Sequence, residues 1–351
     1  VYLFDLGERP WEESMLVFHA LARMGIEGLD IVFPKTPFIS IGYFQDAMLE
    51  VDLEYCKKEN LPVIRREVGG GTVYLDRDQV FYHLVWNRGN TRFPRLMKDI
   101  YEHLSVPPIE TYGEFGIKTE FRGVNDIVTG EGRKIAGLGG ADIADSMVFV
   151  GSIILDFDYL KMSRAIKVGE EKFRDKIYKT MKENVSTMKR ELGSLPRRDE
   201  VVKVLIEKFS KHIGPLESVS LNDDLIKKMK ELAIWFNSPE FLFRKTPRIP
   251  RSVKIKEGIE LIYKQYKARG GLIRTAQETE GKRIKDISIT GDFTLYPKSE
   301  LASIEMDLRE AERKATEIKK KMEELYEKKR LDTPGVSPDD FTKAIIGEED
   351  E

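Results

Sequence analysis

In the stretch Arg65-Arg66-Glu67-Val68-Gly69-Gly70-Gly71-Thr72-Val73-Tyr74-Leu75-Asp76, two arginines stand just before three consecutive glycines. A guanidinium is a planar, permanently charged fork of donors suited to phosphate or carboxylate. Glycine accepts positive φ and lets a main chain lie close against a ligand. Together they suit a site where a bent backbone and two cations meet a small anion. A glycine-rich hairpin with two surface arginines accounts for the same residues. Neither standard nucleotide motif applies. The run lacks the Gly-Lys-Ser/Thr ending of a P-loop, and Gly137-Leu138-Gly139 meets Asp142 where a dinucleotide fold needs a third glycine.

Further along, Lys134 follows the turn Thr129-Gly130-Glu131-Gly132 and opens the apolar run Ile135 to Gly137. A lysine there either neutralises a carboxylate attacking a phosphate or protects a strand edge. Asn125 and Asp126 interrupt a strand-like run although both are poor strand formers. They read as an Mg²⁺ and phosphate site or as an Asx turn or bulge. His83 lies in Tyr-His-Leu-Val-Trp and reads as a packed or exposed strand residue. With His19, His103 and His212 widely spaced, no metal cluster is legible. Cys56, between Tyr55 and two lysines, reads as a buried or incidental thiol or as one with a lowered pKa.

Several elements must position these groups. Trp11 to Met24 carries apolar residues at helical spacing. Leu29 to Phe33 and Phe38 to Phe44, split by Pro34-Lys35-Thr36-Pro37, read as a hairpin or two successive strands. Val51 to Asn60 and Leu96 to Leu104 read as helices. Gln79 to Trp86, Val124 to Val128, Arg133 to Gly140 and Met147 to Leu155 read as strands. This part lacks regular strand–helix alternation, so the expected fold is α+β with a mixed, largely antiparallel sheet and flanking helices. A charged helical region runs from Asp158 to His212, and Gly214-Pro215 through Asp224 marks a boundary. Beyond it, Leu225 to Phe236 reads as a helix and Ser238 to Pro250 as a loop. Ile259 to Ala268, Gly270 to Ala276 and Arg283 to Thr290 read as strands. Ser299 to Arg330 reads as a solvated helix or helix pair, and the tail from Asp332 is expected to end in mobile residues. Two domains are therefore expected, 1–218 and a smaller α+β unit at 225–346.

The 351 residues are 41% hydrophobic and 34% charged, with a net charge of -2. That balance argues against a dedicated nucleic-acid binder, which carries a basic excess. The one basic patch, Arg244 to Lys256, reads more simply as a contact for an acidic carrier domain. A single cysteine excludes a disulfide framework and fits a reducing, cytoplasmic setting. No apolar run approaches the ~20 residues a membrane span needs, and the N-terminus shows no signal-peptide pattern.

Taken together, these stretches resemble the lipoate–protein ligase A family of the biotin/lipoate ligase fold. The resemblance rests on Arg65 to Asp76 and on Ile41-Gly42-Tyr43-Phe44-Gln45-Asp46 with Glu50-Val51-Asp52. Val124-Asn125-Asp126-Ile127 and Arg133-Lys134-Ile135-Ala136-Gly137 complete it. Less specifically, Trp235 to Pro239 and Gly291-Asp292-Phe293 resemble the family's accessory domain. The resemblance implies that lipoate and ATP form lipoyl-AMP, which a lysine of an acceptor then attacks. That acceptor is a glycine cleavage H protein or an E2 lipoyl domain of a 2-oxoacid dehydrogenase. Lys134 is the implied catalytic residue and Asp126 the implied Mg²⁺ ligand. Arg65, Arg66, Gly69, Gly70, Gly71, Thr72, Val73, Asn125, Ile135 and Gly137 are the implied contacts to substrate and adenylate.

Three places depart from the family pattern. Val68 replaces a small hydroxyl residue, Leu75 stands where histidine is common, and Phe149-Val150-Gly151 replaces His-His-Gly. These positions do not separate lipoate, octanoate and biotin. A biotin ligase would carry Gly-Arg-Gly-Arg, which is absent. A cysteine-dependent octanoyltransferase would place its cysteine elsewhere than Cys56. A non-enzymatic acyl-carrier-binding protein is the remaining alternative, and Lys134 with Asp126 argue against it.

Overall fold

The computed structural model describes residues 1–169, 171–246 and 259–347. Its main sheet has six strands in the order Gly139–Ile143, Ser146–Ile154, Gln79–Asn87, Gly28–Pro34, Tyr2–Arg9 and Glu217–Ser218. The first three pairings are antiparallel and the last two parallel. The fold is thus α+β with a mixed, largely antiparallel sheet. Gln79–Asn87 is central because its side chains serve two cores, with only Asn87 exposed. Phe81 and Val85 face the first helix, whereas Val80, Tyr82, Leu84 and Trp86 face the opposite side. The period of two sorts them, and burying each aliphatic or phenyl side chain contributes about 1.5–3 kcal/mol.

The helix Trp11–Met24 covers one face and stops at Gly25, whose φ of 66° closes a left-handed cap. Met97–Leu104, Val106–Glu114 and Arg198–Ile213 cover the other. The expected pair Leu29–Phe33 and Phe38–Phe44 is two successive strands in different sheets. Phe38–Ile41 lies between Val63–Arg65, parallel, and Val73–Leu75, antiparallel. The glycine stretch therefore crosses over a central strand and is not a hairpin turn. The strand ends at Ile41 because Gly42 backs onto the loop: a Cβ on Gly42 would lie 1.8 Å from the Gly70 carbonyl oxygen. A third sheet, Thr119–Arg122, Asp126–Thr129 and Lys134–Gly137, is an antiparallel meander.

In the C-terminal region, Ile259–Ala268, Gly271–Glu280 and Arg283–Gly291 form an antiparallel sheet. The charged stretch after Ser299 is two helices, Glu300–Asp307 and Ala315–Lys329. A further helix, Pro338–Ile346, starts at a capping box between Ser337 and Asp340 that the sequence reading passed over. The helix Asp223–Phe236 packs on Trp11–Met24 through Leu225, Met229 and Phe236. Most of the basic patch Arg244–Lys256, and the last four residues of the tail, lie outside the described residues.

Apolar packing runs without a break from the first helix into this region. Phe44 and Phe293 stack with centroids 5.1 Å apart and planes 9° apart. The Gly291 N–H donates to the Phe44 carbonyl at 3.0 Å. Arg274 pairs with Glu50, and Lys298 with Glu67 at 3.4 Å.

Candidate active site

The two adjacent arginines have different surroundings. Arg65 is fully buried, and its guanidinium donates to the carbonyls of Gly42, Tyr43, Gln45, Phe241 and Leu242. Burial, and then the charge of Arg244, pushes its pKa down to about 9, still charged at neutral pH. All three guanidinium nitrogens are engaged by these carbonyls, and Arg65 does not reach the cavity, so the structure does not bring it to a substrate phosphate. Arg66 turns the other way. Its Nη2 donates to the carbonyls of Gly69 (2.9 Å) and Gly71 (2.8 Å), and its Nη1 to that of Ser40 (3.1 Å). It ties the glycine loop from within and also lines the cavity beside it.

Only some of the glycines are demanded by the protein itself. Gly70 has φ +92°, and a Cβ on Gly69 would meet the Phe293 carbonyl oxygen at 2.7 Å. A Cβ on Gly71 would have nothing nearer than Asp292 at 3.8 Å. The loop is also held from outside, since the Gly70 N–H donates to the Phe293 carbonyl at 3.3 Å. Upstream, the buried His19 has its pKa lowered to about 3, chiefly by burial. It is therefore neutral. Its Nδ1–H donates to the Met15 carbonyl (2.8 Å), and Nε2 accepts the Glu67 N–H (3.2 Å).

Beside the loop lies a cavity of about 350 Å³, within the range of small-molecule sites. It gathers Arg66, Gly69, Gly70, Gly71, Thr72, Val73, Asn125, Lys134 and Gly137. The rest of its wall is largely apolar: Met15, Phe18, Phe81, Leu138, Val150, Ile154, Phe157, Met162, Met181 and Val185. Ile135, expected here, instead points into the core fully buried, as strand alternation after Lys134 requires. Two larger hollows are open surface features away from Lys134, one holding Asp76, Asp78, Asp156 and Asp158, the other Arg198 and Lys203.

Lys134 begins its strand opposite Val128, next to a register shift in the pairing. Its side chain lies over Gly137, where a Cβ would stand 3.1 Å from both Cε and Nζ. Nζ is 2.7 Å from Oδ1 of Asp126. That carboxylate oxygen is buried, with the Lys134 ammonium as its close partner. Asp126 does not line the cavity, and among the described residues no three His, Cys, Asp or Glu side chains are grouped to hold a metal. Asp126 Oδ1 is engaged by the Lys134 ammonium, so this single carboxylate would share Mg²⁺ only with substrate phosphates that supply most of its ligands. Asn125 is fixed by donation from Nδ2 to the Leu138 carbonyl at 2.7 Å.

Of the departures, Val68 is buried against Gly139 and lies outside the cavity, while Leu75 and Val150 are part of its wall. His83 also lines the cavity, paired with Asp30 at 2.7 Å. Sequence reasoning missed this pair. The available signals were an acid inside the strand Leu29-Asp30-Ile31 and a histidine on the Phe81–Val85 face.

Residues 18–210 match the model of the lipoyl protein ligase A/B catalytic domain. The chain belongs to that family. A lipoate–protein ligase of Streptococcus pyogenes is 33% identical over 169 residues, 47% of each chain, so this chain spans about half of that relative. Subunit 1 of lipoate-protein ligase A from Thermoplasma acidophilum is 30% identical over 200 residues, 55% of this chain and 73% of that one. An octanoyltransferase, LipM, of Halalkalibacterium halodurans is 27% identical, covering 69% of this chain and 98% of its own. A solved chain from the bipartite lipoate protein ligase and E2 lipoyl domain of Thermoplasma acidophilum is 25% identical with a TM-score of 0.63. That match covers 72% of this chain and 98% of that one. The family assignment expected from the sequence stands.

Proposed function

We propose that this protein activates lipoate with ATP to lipoyl-AMP and transfers the lipoyl group to a lysine of an acceptor protein. The observation that carries the reading is Lys134, placed over Gly137 at a glycine-walled, otherwise apolar cavity. In the first step a lipoate carboxylate oxygen attacks the α-phosphorus and pyrophosphate leaves. The Lys134 ammonium offsets the charge that both anions bring together. In the second step an acceptor amine attacks the acyl carbonyl, AMP leaves, and Lys134 stabilises the tetrahedral oxyanion. The glycine loop, held by Arg66, lets Gly69 to Val73 approach the adenylate, with Asn125 opposite. Mg²⁺ bound with the nucleotide would lower the charge on its phosphates, and Asp126 is the carboxylate that would hold it. Arg65 has a structural role in this reading.

The acceptor is an H protein or E2 lipoyl domain, a class supported by the Thermoplasma system in which ligase and E2 lipoyl domain occur together. Residues 1–218 act as the catalytic unit and 225–346 as an accessory unit supporting activation. The contact of Phe293 with Gly70 supports this division of labour. The setting is cytoplasmic, in keeping with one cysteine in 351 residues.

Octanoyl transfer is the second reading, favoured by the octanoyltransferase relative and the apolar wall. A cysteine-borne acyl intermediate is disfavoured. Cys56 is 1% exposed in a separate core, and burial pushes its thiol up to about 12. The test is to supply ATP, Mg²⁺, lipoate and a lipoyl-acceptor domain, and to follow pyrophosphate and acceptor mass. The expected result is stoichiometric pyrophosphate and an acceptor heavier by one lipoyl group. No adenylate with lipoate, octanoate or biotin overturns the enzyme reading. Acceptor binding without ATP consumption would favour a binding module.

A further inference from the structure

One row of directly opposed residues crosses the main sheet: Gly139, Val150, His83 and Asp30. The first three line the cavity, and Asp30, fully buried, stands behind His83. Two strand spacings separate Gly139 from His83, roughly 10 Å. Lys134 Nζ lies over Gly137, two residues before Gly139. A medium acyl chain with its carboxyl group at Lys134 has the reach to bring its tail to His83. Around His83 the wall is apolar, formed by Met15, Phe18, Phe81 and Val150.

The protonation of the pair follows from its surroundings. His83 Nδ1 is 2.7 Å from Asp30 Oδ1, and Asp30 Oδ2 is buried without a partner. A net negative charge there, with neutral imidazole donating from Nδ1 to carboxylate, is disfavoured by desolvation. Burial accordingly raises the Asp30 pKa against the lowering effect of His83. A protonated Asp30 carboxyl donates to Nδ1 of the ring, and Nε2 then carries the ring hydrogen. Nε2 has no partner among the described residues, and the ring faces the cavity.

We infer that His83, positioned by Asp30, is a specificity-determining residue that donates from Nε2 to an acceptor near the tail of the acyl substrate, favouring a dithiolane over a bare alkyl end. The inference rests on the proposed acyl-adenylating function and names its substrate class. A plain alkanoate leaves the N–H without a partner among apolar walls, whereas a ring sulfur accepts it weakly. The expected preference for lipoate over octanoate is about 5- to 50-fold, the lower part of the range for an unsatisfied buried donor.

The test is calorimetric binding of lipoate and of octanoate to the full chain, without nucleotide, together with pyrophosphate release for each acid. His83→Leu alone strands Asp30, so the informative variant is Asp30→Leu/His83→Leu, which removes both partners. His83→Gln keeps a donor. The expected outcome is a lipoate preference in the wild type that falls to within about threefold in the folded double variant and is retained by His83→Gln. An unchanged ratio in a folded double variant overturns the inference while leaving the enzyme reading intact. A wild type that binds or turns over neither acid overturns both.

Discussion

Replacing Lys134 by alanine separates chemistry from folding, because the two effects differ in size. The Lys134–Asp126 pair is 2.7 Å long, but the side chains are 44% and 37% exposed. Exposed pairs contribute about 0–1 kcal/mol to stability. The structural duties of residue 134 belong to its backbone, which pairs with Val128 and accepts the Ser186 N–H at 2.7 Å. Alanine keeps both. A preorganised charge at a developing anion is worth far more, about 3–4 kcal/mol or 10²–10³ in rate. Lys134→Ala is therefore expected to slow lipoate-dependent pyrophosphate release by about 100- to 1,000-fold and to shift stability by less than about 1 kcal/mol. Lys134→Met, which keeps the apolar stem, is expected to behave the same way. The assay is single-turnover adenylation followed by acceptor mass, with urea unfolding alongside. A rate within about threefold of wild type would remove the electrostatic role assigned to Lys134. A lost rate accompanied by a lost unfolding transition would show that residue 134 holds the fold instead.

Arg65→Lys is expected to act in the opposite sense. A lysine cannot reach all five carbonyls that Arg65 serves, and each buried group left unpaired costs about 1–3 kcal/mol. A lower urea midpoint is expected, by about 3 kcal/mol or more in stability, with ATP affinity of the folded protein unchanged. An unaltered midpoint with weakened ATP binding would return Arg65 to the phosphate site. Asp76 has its pKa raised to about 6, chiefly by burial, so the folded state binds its proton more tightly than the unfolded one. Its contribution is fully present below the unfolded value of 3.8 and is lost as pH rises through about 6. Asp76→Asn is therefore expected to stabilise the protein at pH 7 by about 1–2 kcal/mol after allowance for partial exposure. The gain should vanish near pH 4, and a gain independent of pH across urea titrations would refute the argument.

Local periodicity is written in the chain, and so the elements it governs were legible. Trp11–Met24, Gln79–Asn87 and Ile259–Ala268 follow from spacing that depends on neighbours three or two residues away. The family was legible too, because four short motifs keep their order and spacing. So was the clustering of Arg66 and Gly69 to Val73 with Asn125, Lys134 and Gly137 around one cavity. The different surroundings of two adjacent arginines were not. Arg65 is claimed by carbonyls at Phe241 and Leu242, on a short helix more than 170 residues away. Nor was the pairing of His83 with Asp30, which needs the register of two strands 53 residues apart. A side chain's neighbours across a sheet or between units are set by long-range pairing, to which no local pattern refers. The sequence by itself therefore determined which elements form and which residue types are at hand. Only the tertiary structure decided which of them Arg65 must serve, what His83 must face, and that Phe293 braces the glycine loop.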